Sequence, residues 1–337
     1  YEEFVKGENE NDEAVSDIFR LEDKGKRKLA LRYELTFPLK RIMKNKKLPY
    51  KRYQIGPVFR DEPVQGNRVR QFIACDADII GSTIKDEAEI LSLVNEIMKQ
   101  LKIKPKILIN NRKLMNEILD YMKIKEKDKP QVLREIDKYD KLPEKEIREN
   151  LKKYNADKIL AELKKGEQFF KQFESYKEIT ELIDLCKKYG LNISFSPTII
   201  RGLSYYNSSV FEIKAEGMME TIAAGGSYMF NGIQCTGLSF GLDRLALLAN
   251  VNISKEKYLV VSLNKDKESI ALAQKLRSQN KIVSIYYGKP SKALEFANSY
   301  NYNFAIFIGE DEIKNKKFKI KDLKTGKEKE LKIWAYY

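Results

Sequence analysis

Hydrophobic and polar residues alternate between positions 50 and 81 in a pattern that predicts a β-hairpin. Two runs of alternating residues, 53–59 and 72–80, flank a polar segment with the proline, glycine and asparagine that are typical of connections. In the second run the two-residue period places five side chains on one face: Phe72, Ala74, Asp76, Asp78 and Ile80. Two carboxylates on such a face are unusual for a purely structural hairpin and indicate a binding surface.

The segment 31–39 precedes this hairpin and also alternates. We expect it to form a strand with Glu34 and Thr36 on the same face. Pro38 is expected to end that strand, because proline has no N–H to donate to a sheet.

Local patterns predict further elements on both sides of the hairpin. Apolar residues at helical spacing predict one helix over 85–100 and the start of another at residue 114. Strands are predicted at 18–21, 28–31, 106–110, 193–197, 201–213 and 221–228. Residues 236–248 read as a strand, a glycine turn and a helix. This mixture predicts an α+β domain with a largely antiparallel sheet.

Composition divides the chain into three parts. Over residues 123–188 lysine and glutamate dominate, and glycine nearly disappears. Apolar residues recur there every three or four positions, which predicts a small helical insertion. Around residues 251–256 the pattern changes again. A βαβαβ series at 258–308 and a hairpin at 316–333 follow, and this alternation predicts a separate, mainly parallel α/β domain.

Charge and composition restrict the function. The 337 residues include 63 basic and 49 acidic side chains, a formal charge of +14, which favours a polyanion such as nucleic acid but also fits a general lysine bias. The absence of histidine excludes histidine-based catalytic triads and imidazole bases. Three separated cysteines and the lack of a long apolar run or a signal peptide predict a soluble intracellular protein.

Arginines near the hairpin indicate the type of ligand. Arg60 and Arg68 flank its connection, and Phe72 follows, so guanidinium forks for phosphate and a ring for base stacking lie close in sequence. Arg244 stands at a predicted helix start, where a cation opposes the helix dipole unless an anion lies between them. A nucleotide is the expected ligand.

Four segments resemble the histidyl enzymes of the class II aminoacyl-tRNA synthetases. They are LRYELT at 31–36, FRDE with RQF at 59–62 and 70–72 (motif 2), RGLSYYNSSVFE at 201–212, and GLSFGLDRL at 237–245 (motif 3). The third is the most specific. The sequence departs from the family at Ala74, where glutamine is usual, at Ser204 and Met229, where aspartate is usual, and at Ser227, where arginine is usual. These substitutions imply a pocket with fewer polar partners. Asp78 also stands in place of the longer glutamate of bacterial members.

The resemblance implies that histidine, ATP and tRNA(His) are the substrates and that Mg²⁺ accompanies ATP. Arg60 and Arg201 would be catalytic at the α-phosphate. The implied ATP-binding residues are Arg60, Glu62, Arg68, Phe72 and Arg244. The implied amino-acid-binding residues are Glu34, Leu35, Thr36, Ala74, Asp78, Tyr205, Tyr206 and Tyr228. In that pocket Glu34 would pair with the ammonium group, and Asp78 would accept an imidazole N–H. We expect the three arginines 60, 201 and 244 to gather around one triphosphate.

The resemblance also implies a domain plan. A catalytic domain is expected at 1–122 and 189–252, the helical insertion at 123–188, and an anticodon-binding domain at 255–337. The strand and helix that form motif 1 are not recognisable, and we expect them upstream of Tyr1; a cytoplasmic homodimer is expected from the family. Two alternatives stay open: a non-charging paralogue that acts as an amino-acid-sensing regulatory subunit, and a nucleic-acid-binding module without catalysis.

Overall fold

The hairpin predicted from residues 50–81 is the edge of a seven-stranded sheet. A computed structural model describes residues 17–43, 46–64, 69–200, 205–216, 218, 220–251, 256–315 and 317–331. The chain divides into two compact units, Tyr1–Val251 and Asn252–Tyr337. The boundaries predicted for the helical insertion stay a prediction.

The strands of the first unit confirm the alternating patterns of the sequence. In chain order they are β1 (Arg20–Glu22), β2 (Lys28–Ala30), β3 (Tyr50–Phe59), β4 (Gln71–Ile80), β5 (Pro105–Asn111), β6 (Ile193–Phe195), β7 (Tyr206–Ala215), β8 (Thr221–Phe230) and β9 (Ile233–Gly241). The large sheet has the order β3-β4-β9-β8-β7-β5-β6, while β1 and β2 pair separately. All neighbours in the large sheet are antiparallel except β5 and β6.

Helices of the first unit follow the apolar spacing of the sequence. They are α1 (Thr36–Ile42), α2 (Ile84–Gln100), α3 (Arg112–Tyr121), α4 (Lys129–Ile136), α5 (Glu144–Lys152), α6 (Ile159–Leu163), α7 (Glu167–Lys171), α8 (Tyr176–Lys188) and α9 (Leu242–Leu248), with a short 3₁₀ turn at Glu126–Asp128. The start of α2 is fixed by Asp86, whose carboxylate accepts from the backbone N–H of Thr83 at 2.8 Å.

The two faces of the large sheet differ. On one face Ile79, Leu238 and Phe240 enter the main hydrophobic core together with apolar residues of α2, α3 and α8. On the other face Asp78 lies opposite Gly237 and Asp76 lies opposite Ser239. Because neighbouring residues of a strand point to opposite sides, the two-residue period separates the core from the polar face.

The strand predicted over residues 31–39 is wrong, because residues 31–35 belong to no strand and a helix follows them. Thr36–Ile42 forms helix α1, and Pro38 lies within its first turn. Proline is tolerated there because the first N–H groups of a helix have no intrahelical partner. Leu39 and Met43, four residues apart, pack in one cluster with Ile80 of β4. The residue interpreted as a strand end therefore belongs to the start of a helix, and Glu34 and Thr36 do not share a strand face.

The second unit confirms the predicted βαβαβ series and hairpin. Its strands are β10 (Lys257–Ser262), β11 (Ile282–Tyr287), β12 (Phe304–Ile308), β13 (Phe318–Asp322) and β14 (Glu328–Leu331), and its helices are α10 (Asp266–Ser278), α11 (Pro290–Ser299) and α12 (Glu310–Lys314). Strand β10 pairs in parallel with β11 and β12, and β13 and β14 continue the sheet antiparallel. Within the described parts of the chain, no helix is long and apolar enough to cross a membrane.

Ser227 belongs to the core face of the sheet. It pairs with Thr236 of β9, which points to the side opposite the polar face, and its hydroxyl donates a hydrogen bond to Glu87 of α2. The expectation that Ser227 removes a polar partner from the amino-acid pocket is therefore wrong. Burial raises the pKa of Glu87, and the Ser227 hydrogen bond only partly offsets this.

Replacing Glu87 with glutamine is expected to stabilise the protein at pH 8. Because the pKa of Glu87 is raised in the folded protein, folding favours the protonated form of this carboxyl group. The folded state therefore loses stability as the pH rises above the pKa that Glu87 has in the unfolded chain. At pH 8 we expect a higher thermal midpoint, which corresponds to a gain of about 1 to 2 kcal/mol in the free energy of unfolding. At pH 5 the midpoint should change little. Glu89→Gln, at an exposed position, is the control; an equal or larger gain at pH 5 would contradict this explanation.

Candidate active site

Three buried carboxyl groups mark the polar face of the sheet. Asp76 and Asp78 come from β4 and are 4% and 3% exposed, and Glu34, just before α1, is 8% exposed. Residues this polar are rarely buried without a partner. Their arrangement therefore indicates a site for a ligand that carries N–H donors.

Asp78 is held in position from two sides. The hydroxyl of Tyr228 on β8 donates to Oδ1 at 2.8 Å, and Nη2 of Arg52 lies 2.8 Å from Oδ2. Arg52 also donates to the backbone oxygen of Leu35 and to Oε1 of Gln54. Burial raises the pKa of Asp78, while Arg52 and Tyr228 oppose that shift. A side chain at Gly237 would collide with this carboxyl group, which explains the glycine.

Glu34 lies where a cation would be stabilised. Burial and the neighbouring charge of Asp76 raise its pKa to about 8, and Arg60 acts in the opposite direction. The hydroxyl of Tyr205 lies 3.5 Å from Oε2, and Oε1 has no hydrogen-bond partner among the described residues. A bound ammonium group would supply both the missing hydrogen bond and the missing positive charge.

Aromatic side chains enclose the space beside Glu34. The ring of Tyr205 lies 4.8 Å from that of Tyr206 and 5.5 Å from that of Tyr228, and Phe37 of α1 contacts it edge-on at 6.3 Å. Tyr206 and Tyr228 share an apolar cluster with Leu39 of α1. Helix α1 thus packs against the polar face and makes one wall of the pocket.

Arg60 lies next to the carboxyl groups at the end of β3. Its guanidinium carbon is 4.5 Å from the centre of the Tyr33 ring and 5.1 Å from that of Phe72, and Nη1 is 3.9 Å from Glu62. Cation–π contacts of this kind keep the guanidinium group in place while leaving N–H donors available. The group suits a phosphate, and the half-buried Phe72 offers a ring for a base.

Arg244 is attached to the same end of β4 through α9. Strand β9 stops at Gly241, opposite Ala74, and the Asp243 carboxylate then accepts from the backbone N–H of Ile73 at 2.7 Å. Nη1 of Arg244 donates to the backbone oxygen of Thr221 at 2.6 Å. This fixes the guanidinium group beside the start of β8.

Some predicted site residues cannot be placed. Arg68 and Arg201 lie outside the described residues, so the gathering of three arginines around one triphosphate stays a prediction. Thr36 begins α1, and Leu35 contributes its backbone oxygen, since its side chain is fully buried. Ala74 packs in an apolar cluster with Leu35, Val58 and Phe72.

Two residues of the site are not predicted from the sequence. A lone arginine in an alternating strand, such as Arg52, usually points to solvent, and its pairing with Asp78 depends on strand register. Asp76 was placed on the correct face but not assigned to the pocket. Its spacing of two residues from Asp78 was the signal that could have identified it.

Comparisons with known proteins decide the family. A sequence profile for histidyl-tRNA synthetase matches residues 1–245, and one for an anticodon-binding domain matches residues 257–334. Histidine–tRNA ligase 1 of Bacillus cereus is 33% identical over 356 residues, covering 94% of this chain and 82% of that protein. The chain belongs to the histidyl-tRNA synthetase family. The histidine–tRNA ligase of Clostridium acetobutylicum is 32% identical over 370 residues, covering 95% of this chain and 85% of its own.

Solved structures agree with this family in fold. The histidyl-tRNA synthetase of Nostoc sp. PCC 7120 has a TM-score of 0.82 at 24% identity, covering 98% of this chain and 86% of that one. A Bacillus halodurans protein described as an ATP phosphoribosyltransferase regulatory subunit/histidyl-tRNA synthetase has a TM-score of 0.71 at 22% identity. The match covers 86% of this chain and 83% of that one. The first unit is a class II synthetase catalytic fold, and the second is an anticodon-binding domain.

Proposed function

We propose that the protein activates histidine with ATP and transfers it to tRNA(His). The observation that carries this proposal is the combination of a buried carboxyl pair with a guanidinium and aromatic pair. Asp78 on the sheet and Glu34 in the loop before α1 form the first, and Arg60 and Phe72 form the second. The carboxyl pocket suits the ammonium and imidazole N–H groups of histidine. The Arg60 pair suits a nucleotide phosphate and base.

The proposed chemistry requires positioning and charge and no covalent intermediate with the protein. Histidine binds with its ammonium group at Glu34 and an imidazole N–H at Asp78, which Arg52 and Tyr228 hold in place. Its carboxylate attacks the α-phosphate of ATP and pyrophosphate leaves. A terminal ribose hydroxyl of tRNA then attacks the histidyl carbonyl, and AMP leaves. Arg60 stabilises the charge that builds on the α-phosphate.

Several residues keep the roles implied by the family. In the proposed complex Arg201 assists Arg60, Glu62 contacts the adenine, and Arg68 and Arg244 bind the outer phosphates. Mg²⁺ would accompany ATP and would neutralise charge on its phosphates.

The second unit is proposed to bind the tRNA anticodon, in agreement with its profile match and the net charge of +14. We further propose a cytoplasmic homodimer with a helical insertion at 123–188. These proposals rest on family membership.

Histidine-dependent exchange of pyrophosphate with ATP tests the function. The protein should catalyse exchange with histidine and not with the other amino acids, and should then charge tRNA(His). Absence of exchange in protein that binds histidine would instead favour the alternative of a non-charging regulatory subunit. The likeness to the B. halodurans protein shows fold alone, whereas Arg60, Arg244 and the anticodon-binding domain are all retained here and favour the enzyme.

A further inference from the structure

Asp76 carries an acceptor without a described partner on the polar face of the sheet. The side chain is 4% exposed, and Oδ1 has no hydrogen-bond partner among the described residues. The hydroxyl of Ser239, directly opposite on β9, donates to this carboxyl group. Within the described ranges, one oxygen atom of Asp76 thus stays available in a place that water barely reaches, where an unmet hydrogen bond is costly.

Among the groups that the structure describes, the acidic charges at this position, with Asp76 itself counted, outnumber the basic ones. Glu34 and Asp78 face it from the loop before α1 and from its own strand, and both are acidic. Arg52 faces it from β3 and Arg60 from the segment after β3, and both lower its pKa, yet burial still raises that pKa to about 6. Arg52 is paired with Asp78, and Arg60 is held between two aromatic rings.

Glu34 and Asp76 also act on each other. The charge of Asp76 is the largest effect on the pKa of Glu34 after burial. Each of the two carboxyl groups has one oxygen atom without a partner in the described part of the chain. A cation with several N–H donors that lies between them would satisfy both oxygen atoms and remove their repulsion.

Position 74, the neighbour of Asp76 on the same face of β4, offers no polar group. The family's usual glutamine is replaced by Ala74, which is packed against Leu35 and Val58 and offers no polar group. Asp76 lies two residues further along β4, on the same face. It is therefore placed to provide a polar contact that Ala74 cannot make.

We infer that Asp76 is a further amino-acid-binding residue, which binds the α-ammonium group of the substrate together with Glu34. This inference rests on the proposed function, and it deepens that function by dividing the pocket into two parts. Glu34 and Asp76 select the ammonium group, and Asp78 selects the ring.

The test compares two ligands that differ only in the ammonium group, L-histidine and 3-(imidazol-4-yl)propionate. In Asp76→Asn we expect the Kd of L-histidine to rise about 10- to 100-fold, because a charge-assisted hydrogen bond is lost. The Kd of the propionate, which lacks the ammonium group, should change less than about threefold. Its retained binding also shows that the variant is folded.

Asp78→Asn is the matched control, and it should weaken both ligands. Equal weakening of both ligands by Asp76→Asn, or unchanged binding of histidine, would overturn the inference. If Asp76→Asn does not fold, the same comparison of the Kd changes for L-histidine and the propionate is made with Asp76→Ser. Histidine-dependent exchange by the unaltered protein is measured in parallel, so that failure of the proposed function is recognised separately.

Discussion

Replacing Arg60 with alanine is expected to slow the formation of histidyl-adenylate by about 10²- to 10³-fold. The guanidinium group is held over Tyr33 and Phe72, close to the carboxyl groups that would receive the amino acid. A fixed cation there stabilises the negative charge that develops as the carboxylate attacks the α-phosphate. Because this interaction strengthens in the transition state, kcat should fall together with kcat/KM.

Single-turnover measurements with saturating ATP and histidine separate this step from product release. Arg148→Ala is a suitable control, because Arg148 is an exposed arginine on α5 that pairs with Glu144. Its rate should equal that of the unaltered protein. If Arg60→Ala forms adenylate within about threefold of the normal rate, Arg60 does not act at the α-phosphate.

Replacing Glu34 with glutamine is expected to weaken histidine binding about 100-fold while making the free protein more stable at pH 8. The loss of affinity follows from removing the charge that pairs with the ammonium group. The gain in stability follows from burial, which raises the pKa of Glu34 from 4.5 to about 8. The same carboxyl group therefore assists binding and opposes folding.

The pH dependence of this substitution has a definite sign. Folded Glu34 binds its proton more tightly than unfolded Glu34, so the unaltered protein loses stability as the pH rises from about 4.5 to about 8. Glu34→Gln should lack that loss, which gives it an advantage of roughly 2 to 4 kcal/mol at pH 8 and little at pH 4.5. Histidine affinity of the unaltered protein should increase over the same range, since the ammonium group needs the carboxylate form.

Thermal unfolding at the two pH values measures the stability difference, and equilibrium binding measures the affinity. Glu216→Gln removes an exposed glutamate that pairs with Lys104 and should change neither quantity appreciably. Lower stability of Glu34→Gln at pH 8 would mean that Glu34 is compensated in the free protein, and the ammonium site would then need another explanation.

Strands and helices that are specified by their own local pattern of hydrophobic residues were predictable from the sequence. Alternation of side chains every two residues identified β4 and the face that carries Asp76 and Asp78. Apolar residues spaced three and four positions apart identified α2. The βαβαβ series of the second unit was confirmed for the same reason, because each of its elements is specified by its own hydrophobic pattern. The motifs also identified the family correctly.

Helix α1 and the side of the sheet that Ser227 occupies were not predictable. A short segment with Pro38 fits either the end of a strand or the first turn of a helix, and packing of Leu39 and Met43 against the sheet selects the helix. Ser227 looked like a pocket residue by resemblance alone. Its pairing with Thr236 turns it toward Glu87, and pairing is a property of the assembled sheet.

The order of residues was thus sufficient for most strands and helices, for the family and for the types of side chain in the pocket, because these depend on local periodicity and short motifs. Only the folded chain shows that Arg52 pairs with Asp78 and that Ala74 packs among apolar side chains. It also shows that the charge of Asp76 raises the pKa of Glu34. These properties arise from contacts between residues distant in sequence and from the removal of water around them. Burial and charge pairing are set by the tertiary structure, and they determine how each carboxyl group of the pocket behaves.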